Sequence, residues 1–397
     1  MTSFQEMTFS ELLSDAEVFV DGDWVESKDQ DQNGDVRLIQ LADIGDGFYI
    51  DKSSRFLNSE TAKRLKCTYL KEGDILVARM PDPLGRACIF PKSEMPCVTV
   101  VDVCIIRPNQ NKVDNRWLMH TINSPIMRQR INEYVTGTTR QRISRGNFSK
   151  LKISVPPLAE QRRIASILDQ ADVLRQKRQQ AIEKLDQLLQ ATFIDMFGDP
   201  VSNPKGWDLY KLSDLGSIST GNTPSRDDAD NFGNYLEWIK SDNLNNDEDY
   251  ATTATEYLSE KGAKKGRVVP EGSILVTCIA GSFDCIGNLA MVDRKVSFNQ
   301  QINSITPNDT VVLEFLYYLM KISKPIIQNA STNSMKGMIS KSKFSEILLP
   351  IPSKEKQIQF VELFKKLYGL KVSHKLYSNN ADSLFKSLQN QAFNGTL

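Results

Sequence analysis

Few of the residues that build catalytic centres are present. The 397 residues include two histidines, His120 and His374, and six cysteines (Cys67, Cys88, Cys97, Cys104, Cys278, Cys285) without a C-x-x-C pair. Neither a zinc site nor a disulfide framework is indicated. There is no G-x-x-x-x-G-K-[ST] cradle for nucleotide phosphates and no Asn/Asp-Pro-Pro-aromatic tetrapeptide for amino-methylation; Asp199-Pro200-Val201 and Asn203-Pro204-Lys205 both fall short. The nearest approach to a nuclease signature is Glu26-Ser27-Lys28 with Asp15 upstream, a spacing that chance supplies often. No apolar run approaches the roughly 18 residues that span a bilayer, and the N-terminus lacks a basic stretch followed by an apolar one. The chain therefore reads as cytoplasmic with reduced thiols. Its formal net charge is zero, so composition alone gives no attraction to a polyanion.

The charge is unevenly spread. Residues 1–36 carry ten carboxylates, among them Asp15, Glu17, Asp21, Glu26 and Asp29, against the single Lys28. Between 128 and 152 the sign reverses, with Arg128, Arg130, Arg140, Arg142, Arg145, Lys150 and Lys152 against Glu133 alone. Length suits two or three domains.

Internal repetition sets the organisation. A shift of 196 places Ile143, Ser144, Phe148, Ser149, Pro156 and Gln161 on Ile339, Ser340, Phe344, Ser345, Pro352 and Gln357. Upstream, at a shift near 199, Glu72-Gly-Asp-Ile-Leu-Val77 falls on Glu271-Gly-Ser-Ile-Leu-Val276. The chain is a tandem duplication of a β-rich region and a long helix, an α+β architecture. Its expected divisions are 1–155, 156–199, 200–352 and 353–397.

From Gln161 to Ile194 no glycine or proline occurs, and Ile164, Ile167, Ala171, Leu174, Ala181, Leu185 and Leu188 recur at alternating steps of three and four, broken at Arg178. Phe360, Leu363, Leu367, Leu370, His374, Tyr377, Ala381, Leu384 and Leu388 keep the same phase. Two matched seams predict an antiparallel coiled coil between the helices. Prolines 156, 157 and 352 precede the helices, and Gly198 with Pro200 closes the first. Val98–Ile106 and Gly272–Ile279 read as strands, Trp117–Ile122 and Phe315–Met320 as short helices, and Thr8-Phe-Ser-Glu11 as a capping box.

The chain resembles the specificity subunits of type I restriction-modification enzymes. The resemblance rests on Val155-Pro-Pro-Leu-Ala-Glu-Gln-Arg-Arg-Ile164, on the junction Phe193–Trp207, and on Ala392-Phe-Asn-Gly-Thr-Leu397, in order across both repeats. It covers essentially the whole chain. One departure concerns the first domain: the second opens with Trp207-Asp-Leu-Tyr-Lys-Leu212, whereas the first opens with the acidic Asp21-Gly-Asp-Trp-Val-Glu-Ser-Lys28, which leaves its start unsettled. The resemblance implies two target-recognition domains that each read half of a bipartite, asymmetric site in double-stranded DNA. It implies that the helices set the spacer and dock two modification subunits. Those partners would use S-adenosylmethionine for adenine methylation. Restriction subunits that join would add ATP- and Mg-dependent translocation and cleavage, and this chain would bind no cofactor of its own.

Candidate DNA contacts are Arg140, Gln141, Arg142 and Arg145 ahead of the first helix, their repeat counterparts Lys336, Lys341 and Lys343, and the amides Asn299, Gln300 and Gln301 beside a strand. Cations draw phosphates irrespective of sequence, whereas Arg, Asn and Gln can pair with base edges. A solvated basic loop packing its domain onto the helix is an equally good reading of Arg140, Gln141 and Arg142, phosphate contact is favoured over base readout for Lys336, Lys341 and Lys343, and a buried amide network is at least as good a reading of Asn299, Gln300 and Gln301. Ser144 and Ser340, at equivalent places, read as structural caps. Two other classes remain open: an enzyme with its own nuclease or methyltransferase site, and a coiled-coil scaffold that binds no DNA.

Overall fold

The computed structural model describes residues 4–137, 140–332 and 337–397. The chain forms two compact units: Met1–Gln180 with Lys375–Leu397, and Ala181–His374. Each unit therefore takes a stretch from both long helices, Leu158–Phe197 and Lys354–Asn394.

In the first unit, Ile75–Ala78 lies inside a four-stranded antiparallel sheet ordered Val18–Asp21, Val103–Arg107, Ile75–Ala78, Ala87–Ile89. Side chains of a strand alternate between faces. Ile75 and Val77 join a core with Trp117, Phe148 and Ile164, while Leu76 and Ala78 join another with Ile39 and Phe90. Both faces are covered, which is why the segment is apolar without alternation. The second unit repeats this: Ile274 and Val276 pack with Phe315 and Phe360, and Leu275 packs with Ile239 and Phe298.

The run Val98–Ile106, read as one strand, is two. Cys97–Thr99 pairs in parallel with Val36–Ile39, and Val103–Arg107 sits between two antiparallel neighbours of the other sheet. The turn between them carries neither glycine nor proline. It is held instead by Arg79, whose amide donates to Asp102 O at 2.9 Å and whose guanidinium donates to Val101 O at 2.5 Å. Likewise Ser273–Thr277 ends before Ile279–Ala280, which pairs separately with Gly337–Met338.

The start of the first domain is settled by pairing. Gln5–Thr8 pairs with Lys152–Val155 as Asp208–Lys211 pairs with Leu348–Ile351, and the one-turn helices Phe9–Leu12 and Leu212–Leu215 follow. The opening is thus Phe9-Ser-Glu-Leu12 against Leu212-Ser-Asp-Leu215, not the acidic stretch from Asp21. Thr8 caps its helix in the expected box with Glu11. Asp21-Gly22 instead matches Thr220-Gly221, the end of a sheet strand in each unit. At both glycines neighbouring backbone occupies the side-chain space: a Cβ would lie 2.3 Å from Val100 O at Gly22 and 2.1 Å from Asn299 O at Gly221.

The long helices run antiparallel within each unit. In the first, Arg163 bonds Leu397 O and Arg175 bonds Asp382; in the second, Lys371 bonds Asp186 and Phe193 stacks edge-on against Phe360. Their seam steps four then three, through Ile164, Leu168, Ala171, Arg175, Ile182, Leu185 and Leu189, and through Phe360, Phe364, Leu367, Lys371, Ala381, Phe385 and Leu388. Leu174, Leu188, Leu370 and Leu384 lie outside it, 44 to 55% exposed, and Ile167 and Leu363 are half-buried. Steps of three and four through the apolar residues pass around Arg175 and Lys371. Those two belong to the seam because Asp382 and Asp186, one repeat apart, neutralise them.

Candidate nucleic-acid interface

Strand pairing brings the irregular segments of each domain to one end of its sheets. In the first unit Asp21 faces Cys104, Ala78 faces Val103 and Ile39 faces Thr99. The segments after residues 21, 39 and 78 therefore share an end with turn 100–102. Residues 140–143 are tied there by the Ile143 amide donating to Arg79 O at 3.1 Å. In the second unit Thr220 faces Asn303, Thr277 faces Ile302 and Ile239 faces Phe298, and the Ile339 amide donates to Cys278 O at 2.8 Å. Within the second unit the candidate amides 299–301 and the segment from Ile339, far apart in sequence, thus come to the same end.

The loops are fixed by different chemistry in the two units. Two arginines clamp the first. Arg86 donates to the carbonyls of Ile44 (2.6 Å), Leu41 (2.8 Å), Met80 and Pro83 (both 3.1 Å); burial pushes its pKa down, and the carbonyl oxygens take the place of water. Arg79 reaches Val101 O, Ile143 O at 3.5 Å and the Asp21 carboxylate at 3.3 Å. In the second unit amides and hydroxyls take this role. Asn299 Nδ2 donates to Gln301 Oε1 at 2.9 Å, Ser241 Oγ donates to the same oxygen at 3.1 Å, and Thr223 Oγ1 bonds Gln300.

This decides how the candidate residues stand. Asn299 is buried and, with Gln301, is used inside the domain, whereas Gln300 is exposed. Arg145 donates to Phe19 O at 3.1 Å and lies 3.7 Å from Asp21, so it fastens its own domain. Arg140, Gln141 and Arg142 are exposed, and Thr136 and Arg142 exchange paired backbone bonds of 3.0 Å. Gln141 lines a cleft of about 600 Å³ shared with Phe48, Pro83, Arg175 and Phe385. Among the described residues the side chains of Arg140 and Arg142 have no ion-pair partner. Lys341 and Lys343 are exposed on the helix that follows the ribbon strand Gly337–Met338. Lys336 lies outside the described residues. Ser144 and Ser340 cap equivalent short helices, accepting from the Asn147 and Lys343 amides.

The acidic start of the chain is absorbed within the domain. Asp15 pairs with Lys112, Glu17 with Lys71 and Arg107, and Asp29 with Arg64. Uneven charge along the sequence thus becomes ion pairing within the first unit.

Comparison with known families gives one decisive match. The type I restriction modification DNA specificity domain fits residues 7–184 and again 204–377. The chain belongs to that family. Members similar to it include the HindI specificity subunit of Haemophilus influenzae, 34% identical over 196 residues, 47% of this chain and 42% of that one. The MjaIX specificity subunit of Methanocaldococcus jannaschii is 33% identical over 159 residues, 39% of this chain and 36% of that one. The match thus spans about two fifths of these relatives' length. The MjaVIII specificity subunit of the same archaeon aligns over 395 residues at 22%, covering 93% of this chain and 89% of that one. The crystal structure of a type I S subunit from M. genitalium shares the fold, with a TM-score of 0.60 at 14% identity over 99% of this chain and 96% of that one. A chain from a structural study of type I complex assembly and conformational transition does so at 0.57 and 16%, over 100% of this chain and 98% of that one. No helix among the described residues is long and apolar enough to cross a membrane.

Proposed function

We propose that this chain is the DNA-recognition subunit of a type I restriction-modification complex, each sheet end reading one half of a bipartite site. One observation carries the reading: two copies of the same framework present different exposed side chains at the same place. Arg140, Gln141 and Arg142 stand out in the first unit, and Gln300, Lys341 and Lys343 in the second. The helices would set the length of the unread gap and hold two modification subunits. Apolar side chains outside the seam support such docking: Leu174, Leu376, Tyr377 and Leu384 in the first unit, Leu188 and Leu370 in the second, each at least 44% exposed. Methylation with S-adenosylmethionine, and any ATP- and Mg-dependent cleavage, would belong to those partners and to restriction subunits.

The target should therefore be split and asymmetric. Mapping adenine methylation in a genome that expresses the complex, with and without this chain, reads it directly; a palindromic motif would rule out one half-site per domain.

Arg140 and Arg142, exposed and without a side-chain ion pair among the described residues, should contact phosphates. The double change Arg140→Ala, Arg142→Ala is expected to weaken specific and random duplexes alike. The slope of log affinity against log salt should fall by roughly two, at about 0.9 per phosphate. A loss confined to one base pair would make them base readers instead.

A further inference from the structure

At the sheet end of the second unit one arginine is held in a fixed direction. Arg226 Nη2 donates to Glu256 Oε2 at 2.9 Å, and its guanidinium lies 5.0 Å from the Phe232 ring centroid and 5.4 Å from that of Trp238. Trp238 is itself anchored: 3% exposed, with its indole N–H donating to Asn222 O at 3.2 Å. Asn222 neighbours Thr223, which bonds the exposed Gln300, so this arginine stands among the segments that form the candidate interface. Lys240 shares Glu256 at 2.6 Å and also lies over Trp238. Lys240 first, and Arg226 with it, hold the Glu256 carboxyl below its usual range, so it stays ionised.

The arginine side chain is nevertheless 57% exposed. Among the described residues its Nε and Nη1 have no partner. A surface ion pair alone contributes little to stability, and attraction to phosphate needs no fixed direction. A guanidinium steered by a carboxylate and two rings, with N–H groups left free, fits a planar pair of acceptors. Guanine offers such a pair, O6 and N7, in the major groove. The counterpart of Trp238 in the first unit is Leu38, paired with Val98 as Trp238 is with Ser297. The feature therefore belongs to one half of the duplication.

We propose that Arg226 reads a guanine in the half-site of the second domain and that Glu256 is its positioning residue. This rests on the DNA-reading function proposed above. The test uses the full-length protein with its modification subunits and duplexes carrying the methylation-mapped target, each guanine replaced in turn by 7-deazaguanine, which lacks the N7 acceptor. One replacement should weaken binding roughly ten- to a hundredfold. Arg226→Ala should weaken the unmodified target by a similar factor, leave random duplex unaffected, and abolish sensitivity to that one replacement. Glu256→Gln should relax discrimination at the same base pair and nowhere else, which a merely structural role would not do. Equal losses on target and random duplex, or an Arg226→Ala protein as sensitive as the parent to every replacement, would overturn the assignment. Failure of the parent complex to distinguish its target from random duplex would sink the DNA-reading function itself.

Discussion

Asp249→Ala is expected to destabilise the second unit by about 3 to 5 kcal/mol, the usual cost of removing one partner from a buried charge network. The Asp249 carboxylate is 6% exposed. It accepts from Tyr317 Oη and Lys321 Nζ, both at 2.8 Å, and lies 3.8 Å from Lys371 Nζ, itself 2.7 Å from Asp186. Without it the buried Lys371 loses a buried carboxylate and is left with Asp186, whose side chain is half exposed, as its ion-pair partner among the described residues. Burial pushes the Asp249 carboxyl up, but Lys321, Lys371 and Tyr317 together hold it below its ordinary value. Its contribution is therefore complete above the ordinary carboxylate pKa and fades as pH falls through the lowered one. Lys371 works the other way. Burial disfavours its charge, yet Asp186 and Asp249 raise its pKa, so its contribution is present below the ordinary lysine value and is lost as pH rises past the raised one. Hydrogen exchange resolves the units separately: amides of 181–374 should lose protection in the variant while those of 4–137 keep theirs. A loss of under 1 kcal/mol would mean that water already reaches the carboxylate.

Exchange of the second recognition domain should have the largest functional effect, replacing one half of the methylated target and leaving the other intact. A cut at 349 would split Leu348–Ile351, whose partner is Asp208–Lys211. The exchanged segment should therefore run from 205 to 352, so that both strands come from one source. The junction with the helix is tolerant, because Gln357 accepts from the Val312 amide at 2.9 Å and donates to Pro352 O at 2.9 Å, both backbone groups. Asp249 travels with the domain while Lys371 and Asp186 remain. A donor without a carboxylate there would carry the stability loss above. Methylation mapping of the chimera decides the matter, and a change in both halves would show that recognition is shared between the domains.

The duplication, the two helices and the three hydroxyl caps could be read from sequence because their signals are local. Ser144, for example, caps the helix of which it is the neighbour. What escaped depends on contacts remote in sequence. Arg86 reaches the Ile44 carbonyl 42 residues away and Arg79 the Ile143 carbonyl 64 away, so neither side chain announces a clamp. The turn at 100–102 was hidden for the same reason, since Arg79 does what a glycine would otherwise signal. A weak clue to the first domain's start was present in Phe9-Ser-Glu-Leu12, which matches Leu212-Ser-Asp-Leu215 at a shift of 203, somewhat beyond that of the other blocks. Arg226 gave no signal, because its meaning comes from Trp238, on a strand 12 residues on, and from Glu256, just ahead of another.

The first unit is discontinuous, and synthesis on the ribosome makes that a matter of timing. Residues 1–180 emerge first, yet Phe385 and Ala392, which close the core around Ile164 and Leu168, follow more than 200 residues later. At 5 to 20 residues per second this is a wait of roughly 10 to 40 s. The second unit, Ala181–His374, is contiguous and complete before the first can close. During that interval the nascent helix carries an uncovered apolar stripe, a surface open to chaperones or to a second unfinished chain.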